Sequence, residues 1–403
     1  MRPSCSAEFL AFLNTQREQA LMITAGYDHT IRFWEALTGM CSRTIQHPES
    51  QVNRLSITPD KKFLAAAGRH AVRLYDIKSN NPQPVMVFDQ HSNNVTGVAF
   101  HVESKWMVTS SEDGTVKVWD IRSGHVQRNY PHGHAVNDVV IHPNQGEIIS
   151  ADRGGNVRVF DLGSDRCTHQ LIPAEDVSVS SVSVASDGSL LVAGNNNGDV
   201  YIWRMYQDGN ETTLQPCRVF KAHKEYLTRL LLSPDIKLLA TCSADHTVRI
   251  WRIDIDEELL EEIDELEIPM PSASLVDPQT PKNHFITGAT SSSSHSPASM
   301  GSTNMRSPVS SGITASSTLL ASHPSLPALL ATRRPLPLFT TLETHQRWVW
   351  DCAFSADSAY LVSVCSDHYA RLWELASSTI IRQYSGHHRG VVCVGLNDYS
   401  SAG

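Results

Sequence analysis

Three residues of this chain, His91, Thr109 and Asp113, have the types that a nucleophile, a base and its orienting carboxylate require. The same trio recurs. An aspartate lies six residues before an aromatic residue, and a Ser or Thr four residues before that aspartate. This gives Thr24, Asp28 and Trp34; Thr109, Asp113 and Trp119; Thr241, Asp245 and Trp251; and Ser363, Asp367 and Trp373. His91, His223 and His345 each precede their aspartate by 22 positions. Catalysis needs one such site beside an oxyanion hole. Four copies along one chain point instead to a polar relay that fixes turns and strands, because buried polar atoms must find partners.

A second chemical signal is the dipeptide Asp-His at 28–29, 245–246 and 367–368. Three histidines suggest a metal centre. Sited in turns of separate repeats, they stand too far apart for one ion with ligands at about 2 Å, so no metal is expected. No Gly-x-Gly-x-x-Gly or Walker-type loop follows a strand, and no cofactor is expected. The eight cysteines form no Cys-x-x-Cys pair, which fits a reducing compartment.

The elements that must carry these residues are repeats. An apolar–aromatic phrase, usually followed by a polar residue, returns at Phe33-Trp34, Leu74-Tyr75, Val118-Trp119, Val159-Phe160, Ile202-Trp203, Ile250-Trp251 and Leu372-Trp373. Its first five spacings are 41, 44, 41, 43 and 48 residues and the last is 122. That is close to a WD repeat of about 40–45 residues, four strands per propeller blade, with one repeat interrupted. Alternating runs such as Val95–Phe100 and Val136–Ile141, with turns such as Thr58-Pro59-Asp60, agree. The expected fold is all-β, a seven-bladed WD-repeat β-propeller.

Blade one has no histidine upstream, and the missing piece is at the other end, at Ser385-Gly386-His387 followed by Val391–Leu396. The tail is therefore expected to supply the innermost strand of blade one, bringing His387 to Asp28 and Thr24. Such closure removes the unpaired edges of an open stack. Blades two, four and five carry Arg69, Gly154 and Asn197 in place of the aspartate, which leaves His47 and His134 without one.

The propeller is expected over 20–253 and 336–398, after an N-terminal extension of 1–19. Residues 254–335 read as an insertion in blade six. Asp254–Glu267 holds nine acids and no base, with Ile255, Leu259, Ile263 and Leu266 on a helical stripe. A Ser/Thr/Pro-rich stretch follows, with too few large apolar side chains to order it. Thr280-Pro281, Ser296-Pro297 and Ser307-Pro308 are candidate phosphorylation sites. The net charge of −9, of which −7 falls within 254–343, argues against nucleic-acid binding. No run is long and apolar enough for a membrane span, and no signal sequence opens the chain.

The face onto which the b–c turns and the loops before strand a open offers Tyr27, Gln51, Asn53, Arg69, Asn94, Asn137, Arg153, Arg347, Trp348, Trp350 and Arg389. Arg347-Trp348-Val349-Trp350 stands out, because Trp and Arg are enriched in interface hot spots.

Particular phrases narrow the family. Thr24–Trp34, Gln51-Val52-Asn53, Ser79–Pro82, His142–Gln145, Gln170–Pro173, Leu239–Asp245 and Trp348–Ser355 resemble the small WD-repeat propeller subunit of TOR kinase complexes, also called the G-protein-β-subunit-like family. The likeness runs from about residue 20 to 398 and excludes the insertion. It implies a non-catalytic cytoplasmic subunit, peripheral on endomembranes only through its complex, clamped on the TOR kinase domain beside the active-site cleft. There it would stabilise the kinase, restrict substrate access and touch other TOR-complex subunits, binding no small-molecule substrate. By position, the binding face falls on Tyr27, Gln51, Asn53, Trp348 and Trp350. A rival reading is an adaptor presenting substrates to a ubiquitin ligase, which would need clustered arginines, whereas Arg69, Arg153 and Arg389 are on separate loops. A propeller hydrolase would need convergent carboxylates at the channel, and the loops offer none.

Overall fold

The computed structural model describes residues 20–36, 38–47, 50–208, 211–253 and 335–398. The N-terminal extension, the acidic stripe, the Ser/Thr/Pro-rich stretch and its three Ser/Thr-Pro motifs lie outside them.

Every described element is a strand, and the strands form seven four-stranded antiparallel sheets. In blades two to seven the chain runs from an inner strand a to an outer strand d. Inner strands start with Arg54–Ile57, Val95–Phe100, Val136–Ile141, Val179–Val184, Leu227–Leu232 and Val349–Phe354. Each inner strand packs against the next around the ring. The β-branched and aromatic residues that favour strands also fill the core. That core lies between blades: each of seven apolar clusters is shared by two neighbours, such as Ile23 and Phe33 of blade one with Leu64 and Tyr75 of blade two.

Blade one is built from both chain ends, as the position of His387 predicts. Its order is Val391–Asn397, Leu21–Gly26, Thr30–Glu35, Cys41–Gln46. The tail strand pairs with strand b from Leu21↔Asn397 to Gly26↔Val391. The seam is tight: a Cβ on Gly26 would stand 2.2 Å from the Gly390 carbonyl oxygen, so only glycine fits.

The b–c turns explain the Asp-His dipeptides. The residue after the turn aspartate, or its replacement, has positive φ in all seven blades: His29 (61°), His70 (66°), Gly114 (76°), Gly155 (89°), Gly198 (83°), His246 (70°) and His368 (77°). Glycine takes this conformation freely, and histidine is among the side chains enriched there. The histidines are therefore turn residues.

In blade six, strand c (Val248–Arg252) pairs with strand d (Leu338–Leu342), so the interruption of the repeat falls between these two strands. Blade five has the longest hairpin, Asp199–Asp208 paired with Glu211–Lys221.

Candidate functional site

The relays form in three blades as complete chains. In blade three, Trp119 Nε1–H donates to Thr109 Oγ1 (2.8 Å), Thr109 stands 2.7 Å from His91 Nε2, and His91 Nδ1 is 2.8 Å from Asp113. These bonds assign the proton to Nδ1. Blade six repeats this with Trp251, Thr241, His223 and Asp245 at 3.0, 2.8 and 2.8 Å. Blade one does so across the chain ends: Trp34 to Thr24 (2.7 Å), Thr24 to His387 (2.8 Å), His387 to Asp28 (2.9 Å). Burial by itself would raise the carboxyls of Asp28 and Asp245. Their bonds to His387 and His223, with those from Thr30 and Thr247, outweigh it and hold both below the usual carboxylate range. Burial outweighs Asp113 at His91 and holds that imidazole below its ordinary value.

Blade seven corrects the expectation of four equal relays. Trp373 and His345 both reach Ser363 (2.8 Å each), but Asp367 accepts both Nη groups of Arg371, at 3.1 and 2.7 Å. A buried guanidinium with a matching fork displaces the imidazole from the carboxylate. Burial and then the Arg371 charge push His345 down to about 4. Blade four retains half a relay, through His132 rather than His134: His132 Nε2 stands 2.8 Å from Ser150, and Phe160 replaces the tryptophan. In blade two the position of the relay Thr is Ala65, and the Tyr75 hydroxyl is buried with no hydrogen-bond partner among the described residues.

The channel departs from what the loops suggest, because two carboxylates do converge there from the inner strands. The third residue of each inner strand, and in blade two the first, Arg54, reads Arg54, Gly97, Asp138, Ser181, Arg229, Asp351 and Cys393 in ring order. Asp138 meets Arg54 (2.9 Å) and Arg229 (2.5 Å), and Asp351 meets the same two at 3.6 and 3.4 Å. This closed quartet has no net charge. Burial would raise the Asp138 carboxyl, yet Arg229, Arg54 and the Ser181 hydroxyl hold it low. With both carboxylates paired, neither is placed as a base or a ligand. Among the described residues no group of three His, Cys, Asp or Glu side chains could hold a metal.

One residue earlier on strand a, side chains stitch the blades. Asn53 Nδ2–H donates to the Val95 carbonyl (3.1 Å), Thr96 to Val136 (2.7 Å), Asn137 to Val179 (2.7 Å) and Thr228 to Val349 (2.5 Å). Asn53 also accepts from Gln51 at 3.3 Å. Both are half-buried and part of the ring's own bonding.

At the same position in blade seven stands Trp350, whose Nε1–H donates to Ser366 Oγ at 2.6 Å. Its ring meets Tyr27 of blade one edge-on (6.3 Å between centroids) and Trp348 (5.7 Å). Trp348 meets Tyr226 of blade six (5.6 Å) and is 42% exposed. Burial raises both phenols, and Tyr27 adds to the shift of Tyr226. Four aromatic residues thus form a continuous ribbon over blades six, seven and one. Tyr226 is the member sequence reading missed; its place one residue before strand a of blade six, in the register of Trp348, was the available signal.

The family model described as "WD domain, G-beta repeat" matches residues 39–76, 82–120, 124–161, 165–204, 214–252 and 337–374. Each match joins a d strand to strands a–c of the next blade, and strands a–c of the blade shared by the chain ends lie outside the matches. Among curated proteins, the chain is 60% identical over 245 residues to "Target of rapamycin complex subunit wat1" of Schizosaccharomyces pombe, covering 61% of this chain and 78% of that protein. It is 50% identical over 378 residues to "Target of rapamycin complex subunit LST8" of Saccharomyces cerevisiae, covering 94% and 99%. The Bos taurus protein of the same name is 44% identical over 239 residues, 58% of this chain and 73% of its own length. The closed ring, its relays and these identities together place the chain in the WD-repeat family of target of rapamycin complex subunits LST8 and wat1.

Proposed function

We propose that this chain is a non-catalytic scaffold that binds and stabilises the kinase domain of TOR and shapes substrate access in a TOR complex. The observation that carries the reading is the aromatic ribbon Tyr27–Trp350–Trp348–Tyr226 on one face of a rigid closed ring. Large aromatic side chains lose little entropy on docking and contribute most where water is excluded. The relatives are named as target of rapamycin complex subunits, which supports a partner within such a complex. Gln51 and Asn53 border this face and hold the turn and the next blade in place, so their part in binding is to keep the platform flat. The chain acts in the cytoplasm, reaching endomembranes through its complex; among the described residues no helix is long and apolar enough to cross a membrane.

The test is affinity purification of the tagged chain from cells. A large kinase co-purifies with the wild type. Trp348→Ala, which deletes an exposed ring without a hydrogen bond, weakens this recovery, and Trp348→Ala with Trp350→Ala abolishes it while the ring still unfolds cooperatively. Full recovery of kinase with the double variant overturns the proposal.

A further inference from the structure

The turns running from blade seven through blade one to blade two carry cations without counter-charges. Arg347, Arg389 and Arg69 are exposed, and none has a side-chain partner among the described residues. Arg43, by contrast, donates to the carbonyls of Asp76 and Asn81, Arg128 pairs with Asp165, and Arg371 with Asp367, whereas Arg153 and Arg166 of blade four are exposed and, like the arc, without a side-chain partner among the described residues. Of the carboxylates near the arc two are spent, whereas Glu225, one residue before Tyr226, is exposed at the blade-six end of the ribbon. The Asp28 side chain is 5% exposed and held by His387, and that of Asp367 is 4% exposed and held by Arg371. Glu343 stands at the outer end of the connection into blade seven, and Glu49 lies outside the described residues. A positive arc on a chain of net charge −9 is a local feature, not a reflection of composition.

Two of these arginines flank the aromatic ribbon. Arg347 is the chain neighbour of Trp348, and Arg389 precedes Gly390, whose carbonyl accepts the Tyr27 N–H at 3.0 Å. A guanidinium presents a planar fork suited to a carboxylate. The rings meet edge-on, at 69–78° between planes. That leaves no parallel platform for successive bases, so the arc suits a protein and not a nucleic acid.

Building on the proposed docking of a kinase here, we infer that the partner's epitope is an apolar ridge bordered by carboxylates, which Arg347 and Arg389 engage on either side of the ribbon. Apolar anchoring sets the lifetime of the complex, and the arginines set its association rate and register, so binding weakens as salt rises.

The experiment measures retention of the full-length chain on immobilised kinase between about 0.05 M and about 0.5 M salt. The double reversal Arg347→Glu with Arg389→Glu lowers affinity about tenfold or more at low salt and flattens the salt response. Arg347→Lys restores part of the charge effect but not the bidentate contact. Arg166→Glu, on the outer strand of blade four, changes neither affinity nor slope. If the wild type is retained and the double reversal binds equally well with the same salt dependence, the acidic epitope is wrong while the docking face stands. If the wild type is not retained, the docking reading falls and takes the epitope with it. Salt-sensitive capture of a single-stranded oligonucleotide, lost in the double reversal, overturns the protein assignment.

Discussion

His387→Ala tests whether the tail locks the ring. The side chain is 2% exposed. It bonds Thr24 at 2.8 Å and Asp28 at 2.9 Å, and its ring lies 6.4 Å from that of Trp34. Removing it leaves the nearly buried Asp28 carboxylate with Thr30, whose amide and hydroxyl donate at 3.1 and 2.8 Å, and with the His388 amide at 3.2 Å. Deleting a hydrogen-bond donor to a buried carboxylate costs about 1.5–3 kcal/mol, and the surviving bonds favour the lower end. His91→Ala removes nearly identical bonds from blade three and costs a similar amount. The two variants differ in where the loss appears. Strand a of blade three runs by chain into strand b of its own blade, whereas the tail strand Val391–Asn397 meets its strand b, Leu21–Gly26, through hydrogen bonds alone. Denaturant unfolding should therefore give comparable losses, while amide exchange accelerates at 391–397 and 21–26 only in His387→Ala. A loss under about 1 kcal/mol, or unchanged protection of both segments, would refute the lock.

Two further outcomes follow from the same bonding. Asp138→Ala leaves Arg54 and Arg229 sharing Asp351 alone in the channel, so stability falls by about 3–5 kcal/mol in a denaturant titration, and a loss within about 1 kcal/mol would make the quartet ornamental. His345 and His132, each pushed down to about 4 by burial and then by Arg371 and Arg158, stay neutral in the fold. Folded values below the unfolded value of about 6.5 mean that this stability is complete above pH about 6.5 and is lost as pH falls toward 4. Between pH about 7 and about 5, each imidazole then accounts for about 2 kcal/mol. His345→Gln removes its share of that slope; an unchanged difference in unfolding midpoint between the two pH values contradicts the assignment.

Much of the ring was legible in the chain because local bonding repeats with the chain. Trp, Ser/Thr and Asp sit at fixed offsets along a hairpin, and one sheet's geometry dictates them. The histidine at a fixed distance even placed the two chain ends in one blade, since His387 had no other aspartate to meet. The same regularity misled in blade seven. Arg371 lies four residues after Asp367 on the same strand, and spacing alone does not say that a guanidinium takes the carboxylate from His345.

The sequence by itself determined the strand periodicity, the blade count and the closure, because these depend on alternation and on residues at fixed offsets along the chain. Tertiary structure alone decided which side chains meet across blades. Arg54, Asp138, Arg229 and Asp351 share a channel though they are far apart in sequence, Asn53 spends its amide on Val95 of the next blade, and Tyr226 extends the ribbon to a third blade. The physical reason is that ring curvature brings the same register position of all seven inner strands together, and no local pattern encodes what stands at the others.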